Sequence, residues 1–550
     1  MVNQRGSVQR VSGPRSTAGR ALRIAFIVPP LLALIILLIS VRTPAGPSAT
    51  GAVAPSFDGP RAAAYARQLA DYAPDRAPGT LTGKQAADRV AGSLSEASGE
   101  TVQRSVFTAP GPRGVDVTME NIWVVEQGPS DEAIVVLANR DDVSPGPGLN
   151  DNATGTAVVV ELARDLSGVE RARTLVLAST DGATVGQAGN QHLLDELRAA
   201  GLRPVAVVSL EAIGSQTEVL PIRFAGTDGV RTPELLLRGL EESIASQPAA
   251  GEASPASPIV QLLDLIAPVT PSGAQVPFLN AGVAAIQLGD GDGGVGIAAI
   301  DEGRLGAVGA AVGSLLVRLD AEPRPSPPSS VYIAASGRVI PGKAVALLAI
   351  ALLIGPLFAA GQALLVGRPS RAGWSAALIV AAIGAVPGIA TVLIARATNL
   401  AGAIDTPPGS GWPRAGVLAV VLVIAAGIVA VAIATYLLRY RFRSPLPLVA
   451  APVIGLGGAA LLLAGSPASV LIAVPALWVW TLVTRPGGLP RLIWSLGPVA
   501  AVGLLIFVVR GADLATLIGA AGTGALPAAL VVGGSVLVGA GVVAALASDA

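Results

Sequence analysis

The stretch "IVVLANRDDVSPGPGLNDNATGTAVVVELARDL" (Ile134–Leu166) decides the fold. It opens on a short apolar run, crosses a loop rich in Asp, Asn, Gly and Pro, and closes on a helical pattern. Short apolar runs bounded by turn residues suit strands buried on both faces. "RTLVLAS" and "PVAVVSL" are two further runs of this kind. Between the first two lies "TGTAVVVELARDL", a helix that Thr154 or the Asn-Ala-Thr turn would cap. Upstream, "GPRAAAYARQLADY" and "TGKQAADRVAGSLSEA" have helical spacing. The alternation predicts an α/β fold, a mostly parallel mixed sheet with helices on both faces. Ligands of such sheets bind beyond the carboxyl ends of the strands. Asn139–Asp142, Asp151 and Asp181 fall at that edge.

The chain around this stretch is apolar. Of 550 residues, 52% are hydrophobic and only 13% are charged, too apolar for an ordinary water-soluble protein. Lys+Arg and Asp+Glu both count 37, so net charge points to no nucleic-acid partner. There is no cysteine, which removes disulfides, thiolate metal sites and a cysteine nucleophile. The single histidine, His192, stands in "NQHLLDEL", where a surface helix and a solvated or capping role are expected. Ser144 or Ser179 as nucleophile would lack a histidine base. "GDGDGG" (Gly289–Gly294) reads as a flexible turn, and Asn152-Ala153-Thr154 as a chance sequon.

The apolar residues cluster at both ends. Residues 1–20 are a basic N-terminus, and Ala21–Val41 is long enough to cross a bilayer as an uncleaved signal anchor. Residues 55–320 read as a water-facing domain, and 321–340, with "DAEPRPSPPSS", as a proline-rich linker. Residues 344–547 read as an all-α polytopic bundle of about seven helices. Their candidate spans are about 344–366, 374–395, 415–437, 446–464, 468–484, 492–509 and 526–547. Alternate loops carry the arginines: Arg368 and Arg371; Arg439, Arg441 and Arg443; Arg485 and Arg491. The positive-inside rule puts these loops and the N-terminus in the cytoplasm, and residues 42–340 outside it. "GAVPG" (Gly384–Gly388) and "SVLVG" (Ser535–Gly539) have small residues four apart, suited to close helix packing within the chain. The spans hold essentially no ionisable side chain, which argues against an ion-coupled transporter.

The middle region resembles the di-zinc aminopeptidase family, which includes glutamate carboxypeptidase-like and glutaminyl cyclase-like proteins. "APDRAPGT" (Ala73–Thr80), "ENIWVVEQG", "GPGLNDNATGTAVVVELAR" and "VPFLNAGVAAIQLGD" follow its motifs in order. The resemblance implies a zinc-exopeptidase-like fold. It also locates the family's site residues in this chain. The His-x-Asp that holds the first zinc corresponds to Asn139-Arg140-Asp141, and the bridging aspartate to Asp151. The Glu-Glu pair, general base and ligand, corresponds to Ala183-Thr184, and the next acidic ligand to Glu211. The last family ligand is a histidine near "GDGGVGIAAIDEG", which holds none.

Chemistry agrees with that count. Catalytic zinc needs several N or O donors and an open water position, and a base must take the water's proton. An Asn139 amide substitutes poorly for imidazole, Arg140 would bring positive charge toward the site, and Ala183 cannot accept a proton. Asp141, Asp151 and Glu211 could hold a weak Ca²⁺ or Mg²⁺, but capping of the helix start is the simpler role for Asp151. No catalytic residue, metal or cofactor is therefore expected.

The layout is similar to the attachment subunit of the GPI transamidase and to membrane-bound endoplasmic-reticulum aminopeptidases. The arginine-over-lysine, alanine-rich composition suggests a bacterial plasma membrane. A non-catalytic binding or assembly module is the leading expectation. Its partners would be the membrane, a peptide or polypeptide terminus, and other membrane proteins. The alternatives are an active membrane-bound zinc aminopeptidase with an unusual metal site, and a transport component with the domain as receptor.

Overall fold

The apolar runs become the centre of a sheet covered on both faces. The structure, a computed structural model, describes residues 15–47, 56–111, 115–142, 148–214, 219–256, 258, 261, 271–289, 299–323, 326–366, 371–405, 414–426, 429, 456, 459, 514–524, 528–529 and 531–536. Among these, eight strands form the main sheet: β1 (Gln103–Pro110), β2 (Asp116–Glu126), β3 (Glu132–Asn139), β4 (Thr174–Thr180), β5 (Arg203–Leu210), β6 (Val219–Arg223), β7 (Glu252–Pro255) and β8 (Ala284–Leu288). Their order is β1-β2-β4-β3-β5-β8-β6-β7. The β4-β3-β5-β8 centre is parallel. The β1-β2 hairpin and the β6–β8 pair add antiparallel ladders.

Strand alternation sorts side chains between two cores. Ile134, Val136 and Ala138 of β3 face one core, with α2 (Gly59–Tyr72), α3 (Leu81–Ser98), α4 (Thr154–Asp165), α6 (Glu234–Ala245) and α8 (Glu302–Asp320). Ala133, Val135 and Leu137 face the other, with α5 (Ala188–Ala199) and α7 (Gln275–Asn280). The first face is dense because its residues are small. Ala62, Ala63, Ala66 and Ala70 bury one side of α2. A Cβ on Gly59 would come within 2.6 Å of the Gly306 Cα in α8. The helix starts are capped from the sequence: Asp58 accepts from the Arg61 N–H, Thr80 from Gly83, and Asp301 from Arg304.

On the outer side of α4, Glu161 accepts from Arg61 Nε with both oxygens, at 2.9 Å each, and from Arg164 at 2.7 Å. Asp165 Oδ1 lies 3.9 Å from Arg61 Nη2, a long ion pair. Burial, with Glu161 close by, pushes the Asp165 carboxyl up to about 6, against the pull of Arg61 and Arg164.

The segment read as a linker ends in a docked hairpin. β9 (Tyr332–Ala335) and β10 (Arg338–Pro341) pair antiparallel. The Tyr332 hydroxyl donates to the Thr232 carbonyl at 2.8 Å, and its ring stacks on Phe224 at 5.6 Å. Gln261 bonds both to the Ala334 N–H and to its carbonyl. The proline count upstream of Ser330 concealed this buried tyrosine.

Three long helices complete the picture: α1 (Arg15–Ser40), α9 (Gly342–Val366) and α10 (Arg371–Leu400). α1 packs along α9. The Gly388 N–H of α10 donates to Ser535 Oγ at 3.0 Å, and that hydroxyl donates to the Gly384 carbonyl at 2.6 Å. The hydroxyl thus enters the turn that Pro387 interrupts. The two small-residue motifs meet each other within the chain. Among the described residues, no helix is long and apolar enough to cross a membrane. The spans expected at about 446–464, 468–484 and 492–509 lie almost wholly outside the described residues, and those at about 415–437 and 526–547 are described in part.

Two outcomes are expected. The unfolded Asp165 titrates near 4 and the folded one near 6. The fold therefore favours its neutral form, and that contribution is present below about pH 4 and lost as pH rises through about 6. Asp165→Asn should be more stable than the wild type at pH 7, with the gain gone at pH 4; a pH-independent difference in urea midpoint would refute this. In α10, a Cβ at Gly388 would sit 2.8 Å from the Val532 Cα. Gly388→Val should lower thermal stability in detergent, whereas Leu393→Val, at an exposed position of the same helix, should not.

Candidate functional site

The carboxyl ends of β3, β4 and β5 converge on a buried polar cluster. Asn139 ends β3, and its amide makes three hydrogen bonds. Its Nδ2 donates to Glu211 Oε1, just beyond β5. Its Oδ1 accepts from Thr180 Oγ1 at 2.7 Å and from Asn190 Nδ2 at 3.1 Å. Thr180 ends β4, and Asn190 lies in the first turn of α5. One amide therefore joins three strand ends and a helix.

Asp141 is held by the two residues that stand at the family's Glu-Glu positions. The Ala183 N–H donates to its Oδ1 at 3.1 Å, and the Thr184 N–H and hydroxyl donate to Oδ2 at 3.2 Å each. Burial, helped by the nearby Asp181 charge, pushes the Asp141 carboxyl up to about 6; the two N–H groups and Arg140 oppose the rise. Ala183 thus acts through its backbone, and Thr184 through both backbone and hydroxyl.

Arg140 brings its charge to this edge from beneath, against Asp181. Its guanidinium is 1% exposed and turns into the sheet. It donates to the Glu120 carbonyl at 2.6 Å, to Asp181 Oδ2 at 3.2 Å and to the Ser179 carbonyl at 3.3 Å. Arg76 does the matching work on the other side. It is 1% exposed and donates to the carbonyls of Arg140, Ala73 and Gly148 at 3.0, 2.9 and 2.8 Å. Asp142 Oδ2 lies 3.7 Å from it. Gly148 has φ 54°, and a Cβ there would fall 1.8 Å from Asp142 Oδ2. Only glycine fits that corner.

The helix start after this corner uses the expected Asn-Ala-Thr turn. Residues Leu149–Ala153 form a single π-helical turn leading into α4. The acceptor for the Gly155 N–H is Asn152 Oδ1, at 3.0 Å, the first residue of that turn. The same oxygen accepts from Ala212 N at 3.1 Å, while Asn152 Nδ2 donates to the Leu210 and Asn139 carbonyls at 2.8 and 3.1 Å. All four hydrogen-bonding positions of this amide are filled. A buried, fully bonded Asn152 is no glycan acceptor in the fold. The side chain of Asp151 lies outside the described residues, as do Ser144 and most of Gly289–Gly294 and of "GDGGVGIAAIDEG".

His192 lies away from this edge. Its ring stacks on Phe107 at 4.3 Å and bonds Ser105 Oγ at 2.8 Å, with Glu196 at 3.5 Å. It ties α5 to the edge strand β1, so it is neither free in solvent nor a helix cap. Among the described residues, no group of three or more His, Asp or Glu side chains could hold a metal ion. Thr180, Asn190 and Arg76 were not legible as members of the cluster. Only Arg76, set in a Pro-Gly turn ahead of a capped helix, carried any sequence signal.

Residues 121–257 match the profile of peptidase family M28. This domain is zinc-exopeptidase-like. The chain is 30% identical over 111 residues to a protein of Pyrenophora tritici-repentis named "Probable zinc metalloprotease", covering 18% of this chain and 23% of that one. A namesake from Leptosphaeria maculans is 34% identical over 77 residues, 14% of this chain and 18% of its own. The chain thus spans less than a quarter of the curated relatives it matches. Among solved structures, a Porphyromonas gingivalis glutaminyl cyclase aligns with TM-score 0.40 and 18% identity, over 48% of this chain and 99% of that one. A leucine aminopeptidase precursor of Bacteroides thetaiotaomicron aligns with TM-score 0.39 and 17% identity, over 48% and 99%.

Removing the Asn152 amide strands two carbonyls and two N–H groups at once. At about 1 kcal/mol per hydrogen bond, Asn152→Ala should cost about 2–5 kcal/mol, above the ~0.5–2 kcal/mol of an ordinary cap. Chemical denaturation of the purified chain measures this. A loss within the cap range would show that the amide serves α4 alone.

Proposed function

We propose that this chain is an integral membrane protein whose zinc-exopeptidase-like domain is a non-catalytic binding or assembly module. The observation that carries this reading is the arrangement at the carboxyl edge. An amide at 139 and backbone N–H groups at 183 and 184 occupy the positions where the resemblance calls for a metal ligand, a base and a second ligand. Asn139 donates a proton to Glu211 rather than offering a lone pair outward. Asp141 spends both oxygens on protein donors. That donor set does not fit a pair of dications, and among the described residues no group there is placed as a general base for an attacking water.

Residues 42–340 would lie outside the cytoplasm, with the N-terminus inside, in a plasma membrane. Support for the membrane part comes from the long helices. Leu38 and Ile39 of α1 are 64% and 78% exposed, and Leu347, Ile350 and Ile354 of α9 are also outward. So large an uncovered apolar surface calls for lipid or another membrane protein. A peptide or polypeptide terminus is the natural ligand of the polar edge, and nucleic acid is not. The rival reading, an active membrane-bound zinc aminopeptidase, draws on the family match and would need zinc.

Elemental analysis and aminopeptidase turnover on the purified chain with added Zn²⁺ separate the two. We expect no stoichiometric zinc and no turnover. Asn139→His alone should not restore either, because Ala183 still leaves the water without a base, a loss of roughly 10²–10⁴-fold by itself. Near-stoichiometric zinc with turnover abolished by Asp151→Ala would establish the aminopeptidase.

A further inference from the structure

The two helices that bracket the domain join it at one end of the sheet, and the candidate site occupies the other. α1 stops at Ser40, and the chain then pairs with β10. The Arg42 N–H donates to the Val339 carbonyl at 3.2 Å, and Val339 returns the bond at 2.9 Å. The Arg42 guanidinium reaches Glu234, the first residue of α6, at 2.8 Å. α9 starts at Gly342, whose N–H donates to the Val331 carbonyl at 2.9 Å. The neighbouring Tyr332 is bonded to Thr232, and Thr232 Oγ1 to the carbonyl of Ala285, the second residue of β8. Pro233, Leu235 and Leu236 line one cavity with Val205, Ala206 and Ala284. These are the amino ends of β5 and β8.

Asn139, Thr180 and Glu211 lie at the opposite, carboxyl ends. The eight residues of β5 separate the two edges by about 25 Å at ~3.3 Å per residue. The attachment is also no loose tether. Arg318 Nη2 donates at 2.7 Å both to the Pro47 carbonyl and to Glu242 of α6. Gly239 has no room for a Cβ, since Pro47 Cδ would lie 2.7 Å from it. Backbone pairing, ion pairs and close packing fix the domain to the two helices.

We infer that the domain is held upright on its membrane helices, with the candidate edge facing the aqueous phase about 25 Å from the lipid surface. This rests on the membrane reading above. A lipid headgroup is then out of reach of that edge. Charge agrees with that. Arg76 and Arg140, the arginines of the cluster, are buried and aimed at backbone carbonyls, so neither guanidinium is presented to a phosphate.

The absence of cysteine makes the test direct. Single cysteines replace Gln191, exposed near the carboxyl edge, and Ala321, exposed beside Asp320, whose carboxylate takes the N–H groups of Ala172 and Arg173 at the start of β4. Each full-length variant is labelled with a fluorophore and reconstituted into phosphatidylcholine vesicles containing headgroup-quencher lipid. We expect loss of fluorescence for Ala321→Cys and none for Gln191→Cys. Equal loss at both positions, or greater loss at 191, overturns the orientation while leaving the membrane reading in place. Failure of the chain to float with the vesicles overturns both.

Discussion

Four buried carboxylates at one edge of a sheet set the terms for everything around them. Asp141, Asp142, Asp181 and Glu211 are all buried, and an ionised carboxylate out of water is costly unless it is matched by donors. Each is matched from within the chain. Asp141 takes two N–H groups and a hydroxyl, Asp181 takes Arg140, Asp142 has Arg76 nearby, and Glu211 takes the Asn139 amide. Even so, burial first and the nearby Asp181 charge second hold the Asp141 carboxyl above the ordinary range. A loop that must present these donors cannot move freely, so the sequence Asn139–Asp142 is pinned on both sides.

The pinning explains the glycines and asparagines of the opening stretch better than flexibility does. Gly148 is required because Asp142 and Arg76 fill the space of its Cβ. Gly155 is required because the Leu210 carbonyl approaches to 2.4 Å of the same point. Asn152 then joins the ends of β3 and β5 to the start of α4 with a single neutral group. An aspartate there could accept from Gly155 and Ala212 but could not donate to the two carbonyls. The choice between Asn152 and its acidic neighbour is thus a matter of donors, not of charge.

This is also where the sequence stops being legible. Period and polarity locate β3, α4, β4 and β5, because a strand buried on both faces must be apolar throughout and an intervening helix must be amphipathic. They also place Asn139, Asp141 and Glu211 at the carboxyl edge, since that edge follows from strand direction. They do not give the direction of a long side chain. Arg140 reads as a charge beside Asp141, and its guanidinium in fact reaches Glu120, Ser179 and Asp181. Nor do they show that Asn152, first residue of the expected cap, also ties the ends of β3 and β5 together. The hairpin of β9 and β10 was hidden for a different reason. Its stability comes from Tyr332 and Gln261 reaching elements about 70–100 residues away, and no local pattern records a contact of that range.

The two ends of the sheet carry different kinds of bond. At the carboxyl end, hydrogen bonds are short-range, buried and mutually dependent, so the cluster behaves as a unit and changing one member exposes the next. At the amino end, attachment is spread over backbone bridges, the Tyr332–Phe224 stack and the Arg42 and Arg318 ion pairs, each of modest strength. Half-exposed pairs such as Arg42–Glu234 are weakened by salt, whereas the Tyr332 hydroxyl and the Gly239–Pro47 contact are not. Orientation of the domain on its helices therefore depends chiefly on the buried hairpin, and its ion pairs set only how firmly the surface of that joint is closed.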